Sequence, residues 1–430
     1  MKDKGIKAFL VLLLLLLIAS CTMPSSKSSI VDATPREKEL TLMVYMAADN
    51  DLESYAIQNL KALEHTKAED INILVLLDRT QGYDQTNGNW TDTRLFEVLY
   101  DETSGNYIKS KRLNCPILGL SDTVDTELDM ANPAVLRNFI TFAKTDYKAQ
   151  EYALIIWGHG TGWRGSFLEN SNDNIYRAVA IDDTTGSYMT VRELEGAVND
   201  MDLCVIGFDT CFGGVIENVY QLKTAADYTV ASPGISPATG WDYKKLLTTL
   251  SGSDFTAEKI AMSMAGSSSV TTSIYENSKL SQVMEKFEIF SRYLSQTIND
   301  SDSRDYLMEK LTNVDSYSYS QYPCDMYLDI YSMAEDWQFS LVTGLSEAAE
   351  QLMSVLDQAV ITQGNLHGCL GVLFMPKTSS QVFSSTHSID YIKDSNNVLQ
   401  CAFIKESQWW VPTIGGNSGS LLDKLFYTSF

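Results

Sequence analysis

Four short runs constrain this chain more than any other feature: Leu40–Met46 (LTLMVYM), Ile71–Leu77 (INILVLL), Tyr152–Trp157 (YALIIW) and Leu203–Phe208 (LCVIGF). Each is apolar on both faces and ends at polar or glycine residues, the pattern of a strand buried from both sides. Amphipathic patterns at Leu52–Leu63, Pro133–Ala143 and Val191–Asn199 lie between them and read as helices. Doubly buried strands alternating with helices specify an α/β domain built on a mainly parallel sheet. Arg94–Tyr100 reads as a further strand or hairpin arm, within a Gly/Asn/Asp/Tyr-rich excursion over Thr80–Ser121.

Beyond residue 250 the pattern changes. Phe255–Ala265, Gln282–Ile298 and Leu341–Thr362 read as helices, Cys369–Met375 as a buried strand, and Ser316–Tyr322 as a loop. A domain over 38–250 followed by a smaller α+β domain over 251–430 is expected, with no linker between them. At 44% hydrophobic residues the chain can fill a large core. Its net charge of −23 argues against nucleic acid and anionic surfaces as partners.

The amino terminus reads as a leader. Lys2, Lys4 and Lys7 precede an apolar run, Ala8–Ala19, that is too short to span a bilayer comfortably. It ends in Ile18-Ala19-Ser20-Cys21, which resembles the lipobox of bacterial lipoproteins. Residues 1–20 are expected to be a signal peptide, Cys21 the lipidated residue and 21–37 a Ser/Pro-containing tether. The expected location is the bacterial cell envelope, with the membrane reached through the lipid.

Two glycine-rich turns follow buried strands. His159 lies in WGHGTGW (Trp157–Trp163) and Cys211 in GFDTCFGG (Gly207–Gly214). Ligand sites of open parallel sheets form at the carboxyl ends of strands. A helical pattern after Gly214 would place the Cys211 thiol near a helix N-terminus, where a thiolate is favoured. Cys204, inside its strand, reads as a small core residue. A cysteine with a histidine about 50 residues upstream is the chain order of caspases, although the caspase signature itself is absent. The remaining histidines, His65, His367 and His387, sit in no ligation motif, and the cysteines show no legible disulfide or zinc framework.

Segments in order along the chain resemble the clostripain-like cysteine peptidases, a bacterial family of caspase-like fold. They are MVYMAADNDLE (Met43–Glu53), IIWGHGTGW (Ile155–Trp163), AIDDTTGSYMTVRELEGAV (Ala180–Val198), FDTCFGG (Phe208–Gly214), ADYTVASPG (Ala226–Gly234) and HGCLGVLFMP (His367–Pro376). Thr210 departs mildly from the family's usual D-A-C. The resemblance implies a Cys211–His159 dyad, in which a third orienting residue is optional, and an oxyanion hole from the backbone N–H groups of Gly160 and Cys211. It implies a polypeptide substrate, bound by Asp209 and by the loop that carries Ser232, Thr239 and Trp241. Relatives that cut after Arg or Lys use acidic residues in the first substrate pocket. Asp209 matches one of these acids, whereas Thr239 stands where another is expected, with Asp242 as a nearby substitute. Relatives also cut their own chain between the two motifs. Here that stretch is the polar loop Arg164–Arg177, with Arg177 the better placed basic residue. Some relatives depend on calcium. No EF-hand loop occurs in this chain, so no tightly bound metal or other cofactor is expected. A single chain is the expected working unit. Two alternatives stand beside the peptidase: an inactive scaffold lipoprotein that kept the fold, and a thiol amidase.

Overall fold

The computed structural model describes residues 37–103, 107–162, 165–166, 176–177, 179–252, 254–317, 326–362, 369–374, 402–403, 407, 409 and 421–426. The leader, Cys21 and the tether up to residue 36 lie outside the described residues. Among those described, no helix is long and apolar enough to cross a membrane.

One nine-stranded sheet organises the chain. Its strands are β1 (Lys38–Met46), β2 (Ile71–Asp78), β3 (Thr93–Glu97), β4 (Lys111–Arg112), β5 (Ala149–Trp157), β6 (Leu203–Asp209), β7 (Ala226–Ala231), β8 (Ser273–Glu276) and β9 (Val360–Thr362). Their spatial order is β9-β8-β7-β6-β5-β1-β2-β3-β4. The central five, β7-β6-β5-β1-β2, run parallel. The flanking strands on both sides are antiparallel. The four apolar runs read from the sequence are four of the parallel strands.

Alternate residues of each strand enter two separate cores, as a period of two requires. Met43, Tyr45, Leu154, Ile156, Ile206 and Phe208 face one. Val44, Met46, Ile155, Trp157 and Val205 face the other. The second core is closed by helices Glu53–Glu64, Tyr243–Leu250 and Ala257–Ser267, through side chains such as Leu60, Leu246 and Met264. The first is closed by Pro133–Asp146, Val191–Val198, Ile216–Gln221, Leu280–Gln296 and Leu345–Ala359. The result is three layers, helix on sheet on helix.

The expected boundary at residue 250 does not divide the fold. β8 and β9 come from the later half yet extend the same sheet beyond β7, and Lys38–Phe430 forms one compact unit. The helix expected over Leu341–Thr362 ends at Ala359. Val360–Thr362 leaves it as β9, where β-branched residues suit an extended pairing with Ser273–Tyr275. A second, antiparallel sheet of three strands joins Ser316–Tyr317, Met326–Asp329 and Gly371–Phe374. Ser316–Tyr317, expected as loop, is therefore a short strand.

This small sheet is tied to the loop beyond β6. The N–H of Gly371 donates to the carbonyl of Gly214 at 3.0 Å, and Val215 bridges Gly371. The buried Tyr275 hydroxyl reaches the Cys369 carbonyl at 2.6 Å and the Gly214 carbonyl at 3.3 Å.

Candidate active site

β5 and β6 are neighbours, and their register pairs Trp157 with Asp209. Parallel neighbours lie about 4.8 Å apart. His159 and Cys211 each follow two residues beyond that pair, so both turns leave one edge of the sheet side by side. Gly160 carries the contact. A Cβ built there would stand 2.4 Å from the Cys211 carbonyl oxygen and 2.7 Å from Thr210 Oγ1. The backbone carbonyl cannot yield, so only glycine fits between the histidine and the nucleophile turn.

The Cys211 side chain is partly exposed. Its Sγ lies 3.3 Å from the backbone N–H of Ser236 and 3.5 Å from the Ser236 carbonyl oxygen. The thiol can donate to that carbonyl, and a thiolate can accept from that amide. The helix expected to assist the thiol is short. It runs only Ile216–Gln221 and starts more than a turn beyond the cysteine, too far for a dipole that fades within the first turn. Cys204 is buried in β6, and burial pushes its thiol well up, as suits an inert core residue.

His159 Nε2 stands 2.6 Å from Asp51 Oδ1. Asp51 follows β1, on the other side of β5. The next glycine, Gly162, has φ +65°, and a Cβ there would meet the Tyr327 hydroxyl at 2.6 Å. That hydroxyl donates to the Thr161 carbonyl at 3.0 Å. The Tyr327 ring rests on Phe212, centroids 5.3 Å apart. Phe212 itself has φ +53°, a costly conformation for a bulky residue and of the kind that clusters at functional turns. Asp51, Ser236 and Tyr327 therefore support the pair. The sequence pattern marks none of them, although Asp51 lies in the matched MAADNDLE segment.

The remaining expected site residues fall into different roles. Asp209 is buried. Its Oδ2 accepts from the Trp241 N–H at 2.9 Å and the Tyr243 hydroxyl at 3.0 Å, while Oδ1 has no hydrogen-bond partner. Burial pushes its carboxyl up to about 7, against the lowering effect of those two bonds. Gly240, at φ +68°, lies directly over it. A Cβ there would approach Asp209 Oδ2 and Asn59 Nδ2 at 2.7 Å each and Trp157 Nε1 at 3.0 Å. Thr239 is exposed beside it, in a turn closed by the Gly240 N–H on the Pro237 carbonyl. Asp242 caps the helix Tyr243–Leu250 through the Lys245 N–H. Ser232 is buried in the turn after β7, where its hydroxyl accepts from the Gly234 N–H at 3.2 Å. Trp241 was expected to contact substrate. Its ring is withdrawn instead into the core against Gly207 and Met264.

The backbone of Arg177 pairs with Gly165 in a two-residue ladder. Its side chain, Arg164 and residues 167–175 lie outside the described residues, as do His367 and His387. A cavity of about 900 Å³ opens beside Leu203 and Ala226, at the amino ends of β6 and β7. That is the edge opposite the two turns. Carboxylates able to hold a metal converge elsewhere, at Asp49, Asp78, Glu127 and Asp182.

Comparison with known proteins gives a consistent result. Clostripain of Hathewaya histolytica is 25% identical over 249 residues, covering 54% of this chain and 46% of its own length. The chain thus matches about half of that relative. A secreted C11 cysteine protease from Bacteroides thetaiotaomicron has a similar structure, with TM-score 0.57 and 19% identity, covering 80% of this chain and 95% of that one. An inactive zymogen C11 protease from Parabacteroides distasonis gives TM-score 0.59 and 17% identity over 85% and 99%. Identities this low establish a shared fold, a mixed α/β architecture on a large, mostly parallel sheet. The model of the clostripain family matches residues 44–412, and over that length this chain belongs to the clostripain family.

Proposed function

We propose that the chain is a cysteine endopeptidase in which Cys211 is the nucleophile and His159 its acid–base partner. The observation that carries this reading is the packing of Gly160 against Cys211 and Thr210, which brings the two turns together at one sheet edge. In the proposed reaction Cys211 Sγ attacks the scissile carbonyl carbon as thiolate. The carbonyl oxygen takes up the negative charge and is received by the backbone N–H groups of Gly160 and Cys211. The tetrahedral adduct collapses as the C–N bond breaks, and His159 gives its proton to the departing amine. Water, deprotonated by the now neutral imidazole, then hydrolyses the thioester and regenerates the thiol. Asp51 positions the ring. With Nε2 held by Asp51, Nδ1 is the nitrogen left to face the reacting atoms. The inhibitor bound to the Bacteroides thetaiotaomicron protease is an irreversible peptide, in keeping with a polypeptide substrate here.

The proposed preference is for Arg or Lys before the scissile bond, recognised through Asp209. Its buried, unpartnered Oδ1 is short of a donor, and a guanidinium or ammonium would supply one. Thr239 and the helix-capping role of Asp242 leave Asp209 as the acid of this pocket. The lipid anchor on Cys21, and with it an envelope location, also remains a proposal resting on the Ser20-Cys21 junction.

Replacing Cys211 by Ala should abolish hydrolysis of peptide substrates with the fold retained. His159→Ala should lower kcat by several orders of magnitude, about as paired nucleophile and base do elsewhere. Turnover retained by Cys211→Ala, or lost instead in Cys204→Ala, would reject the assignment.

The pH dependence should separate basic from neutral substrates. A folded-state value raised to about 7 means the folded chain holds its proton more tightly than the unfolded chain does. Asp209 therefore favours folding most at low pH, and that contribution is lost as pH rises towards 7. Below about 7 the pocket is neutral, so kcat/KM for Arg and Lys substrates should fall there more steeply than for substrates with a neutral residue. Asp209→Asn should remove the difference while unfolding at a higher temperature than wild type at pH 8. Parallel profiles for both substrate classes would count against Asp209 as the specificity acid.

Self-cleavage, if the enzyme prefers Arg, should occur after Arg177. Intact-mass analysis should find the cut in wild type and not in Cys211→Ala. Cutting in both would assign the cut to another protease, and a fully active uncut wild type would remove processing from the activation scheme. Cys21→Ala should leave membrane fractions or accumulate as uncleaved precursor, and unchanged fractionation with normal processing would refute lipidation.

A further inference from the structure

The thiol of Cys211 is met by the loop that follows β7, which reads Ser232-Pro233-Gly234-Ile235-Ser236-Pro237. The Phe212 N–H donates to the Gly234 carbonyl and the Gly214 N–H to the Ser232 carbonyl, each at 2.8 Å. These bonds lay the loop along the nucleophile turn. Ser236 then makes three contacts with that turn. Its N–H lies 3.3 Å from Cys211 Sγ and its carbonyl oxygen 3.5 Å from the same sulfur. Its hydroxyl donates to the Thr210 carbonyl at 3.0 Å.

The two backbone contacts select a protonation state. A neutral thiol accepts from the N–H through sulfur and donates its S–H to the carbonyl, so it satisfies both groups at once. A thiolate keeps the first bond and loses the second, and its charge then faces a carbonyl oxygen. The thiolate is the nucleophilic form, so the loop holds Cys211 in its unreactive one. The following helix begins too late to reverse that preference. The loop also takes up space. A reacting carbonyl carbon must stand about 3–3.5 Å from the attacking atom, and the Ser236 peptide fills part of that shell.

The sequence suits a segment that is presented to the nucleophile and left uncut. Ser236 is neutral, where the proposed preference is for Arg or Lys. The bond beyond its carbonyl is Ser236–Pro237, whose nitrogen is tied into a ring and carries no hydrogen. Lifting the segment costs little packing, since Ile235 is 44% exposed and Pro237, Ala238 and Thr239 face solvent. The loop is anchored separately at its ends, by the Phe212 and Gly214 amides on one side and by the Trp241 N–H on Asp209 at the other. Its middle can leave Cys211 while both ends stay in place.

We propose that Ser236 is a positioning residue for the nucleophile. Its peptide group clasps Cys211 as a neutral thiol, its hydroxyl locks the clasp to Thr210, and an entering substrate strand displaces it. On release the S–H bond breaks, its electron pair stays on sulfur, and the proton passes to His159 Nδ1. The imidazolium so formed is the one that protonates the departing amine. That last step rests on the peptidase reading, whereas the clasp rests on the contacts around Cys211 alone.

The test is alkylation of the full chain by iodoacetamide at neutral pH, with each cysteine followed separately by peptide mass spectrometry. It needs no cleavage of substrate, so it stands or falls apart from the peptidase assignment. Ser236→Ala removes the hydroxyl lock, and Cys211 should then react about fivefold faster than in wild type, the worth of one ordinary hydrogen bond. Ser236→Thr keeps a hydroxyl and suits the extended backbone that precedes a proline, so it should restore the wild-type rate. Cys204, buried in β6, should stay unmodified throughout, and the unfolding midpoint should not move. Ser236→Gly, which also lacks the hydroxyl, decides the matter if Ser236→Ala does not fold. A wild-type or slower rate in the variants without a hydroxyl would overturn the clasp, and a slower one would make Ser236 a support of the thiolate instead. An equal gain in Ser236→Thr, or Cys204 reacting in parallel with Cys211, would trace the effect to a loosened fold and overturn it as well.

Discussion

The register between β5 and β6 is the constraint on which the site depends. Pairing Trp157 with Asp209 ends both strands at one level of the sheet, so whatever follows each strand emerges beside its neighbour. A slip of one residue in either strand would turn its buried side chains to the wrong core. It would also separate His159 from Cys211. The two cores therefore enforce the alignment that the proposed chemistry needs. Side chains as far from the site as Val205 and Leu154 take part in holding it.

Register alone does not hold the turns themselves, since they project beyond the last ladder bonds. Here the second half of the chain becomes necessary. Tyr327 reaches from the three-stranded sheet to the Thr161 carbonyl and packs on Phe212, touching both turns at once. Gly371 and Tyr275 grip the Gly214 carbonyl. Asp329, which accepts from the Cys369 N–H and the Tyr317 hydroxyl, fixes the small sheet in turn. A positive φ at Phe212 persists only if its surroundings over-determine it, and these contacts do so. The chain beyond residue 250 is part of the scaffold of the site, which is why no linker separates it.

How much was legible follows from the same physics. The central parallel strands are buried on both faces, so burial writes them into the sequence as unbroken apolar runs. Their ends were readable to within a few residues. The flanking strands carry no such mark. Ser273–Glu276 has a polar residue at each end, and Val360–Thr362 continues the apolar pattern of the helix before it, so neither could be told from its neighbours without the partner strand. His159, Cys211 and Gly160 stood out because close approach of two turns demands glycine on either side of the functional groups. Asp51, Ser236 and Tyr327 did not, because an ordinary aspartate, serine or tyrosine acquires its role only through a contact made in three dimensions. Trp241 misled for the opposite reason. A tryptophan in a pocket loop reads as a substrate contact, but Gly207 leaves a gap in β6 that its ring fills.

Asp209 brings the structural and chemical demands into one residue. At the end of β6 it must be buried, because the sheet edge is covered by Gly240 and Trp241, and burial opposes its charge. Two hydrogen bonds on Oδ2 recover part of that cost, enough to bring the carboxyl to about 7 rather than higher. The group is then poised. Neutral, it is an acceptable core residue that anchors Trp241 and Tyr243. Ionised, it is an uncompensated charge waiting for a cation. A fully solvated aspartate would attract basic side chains weakly, through water and salt. One held dry beneath Gly240 would repay a cation that reaches it with a far stronger interaction, and would offer a neutral side chain nothing comparable. Under the proposed preference, the same burial that makes an unpaired carboxylate costly would make a paired one selective.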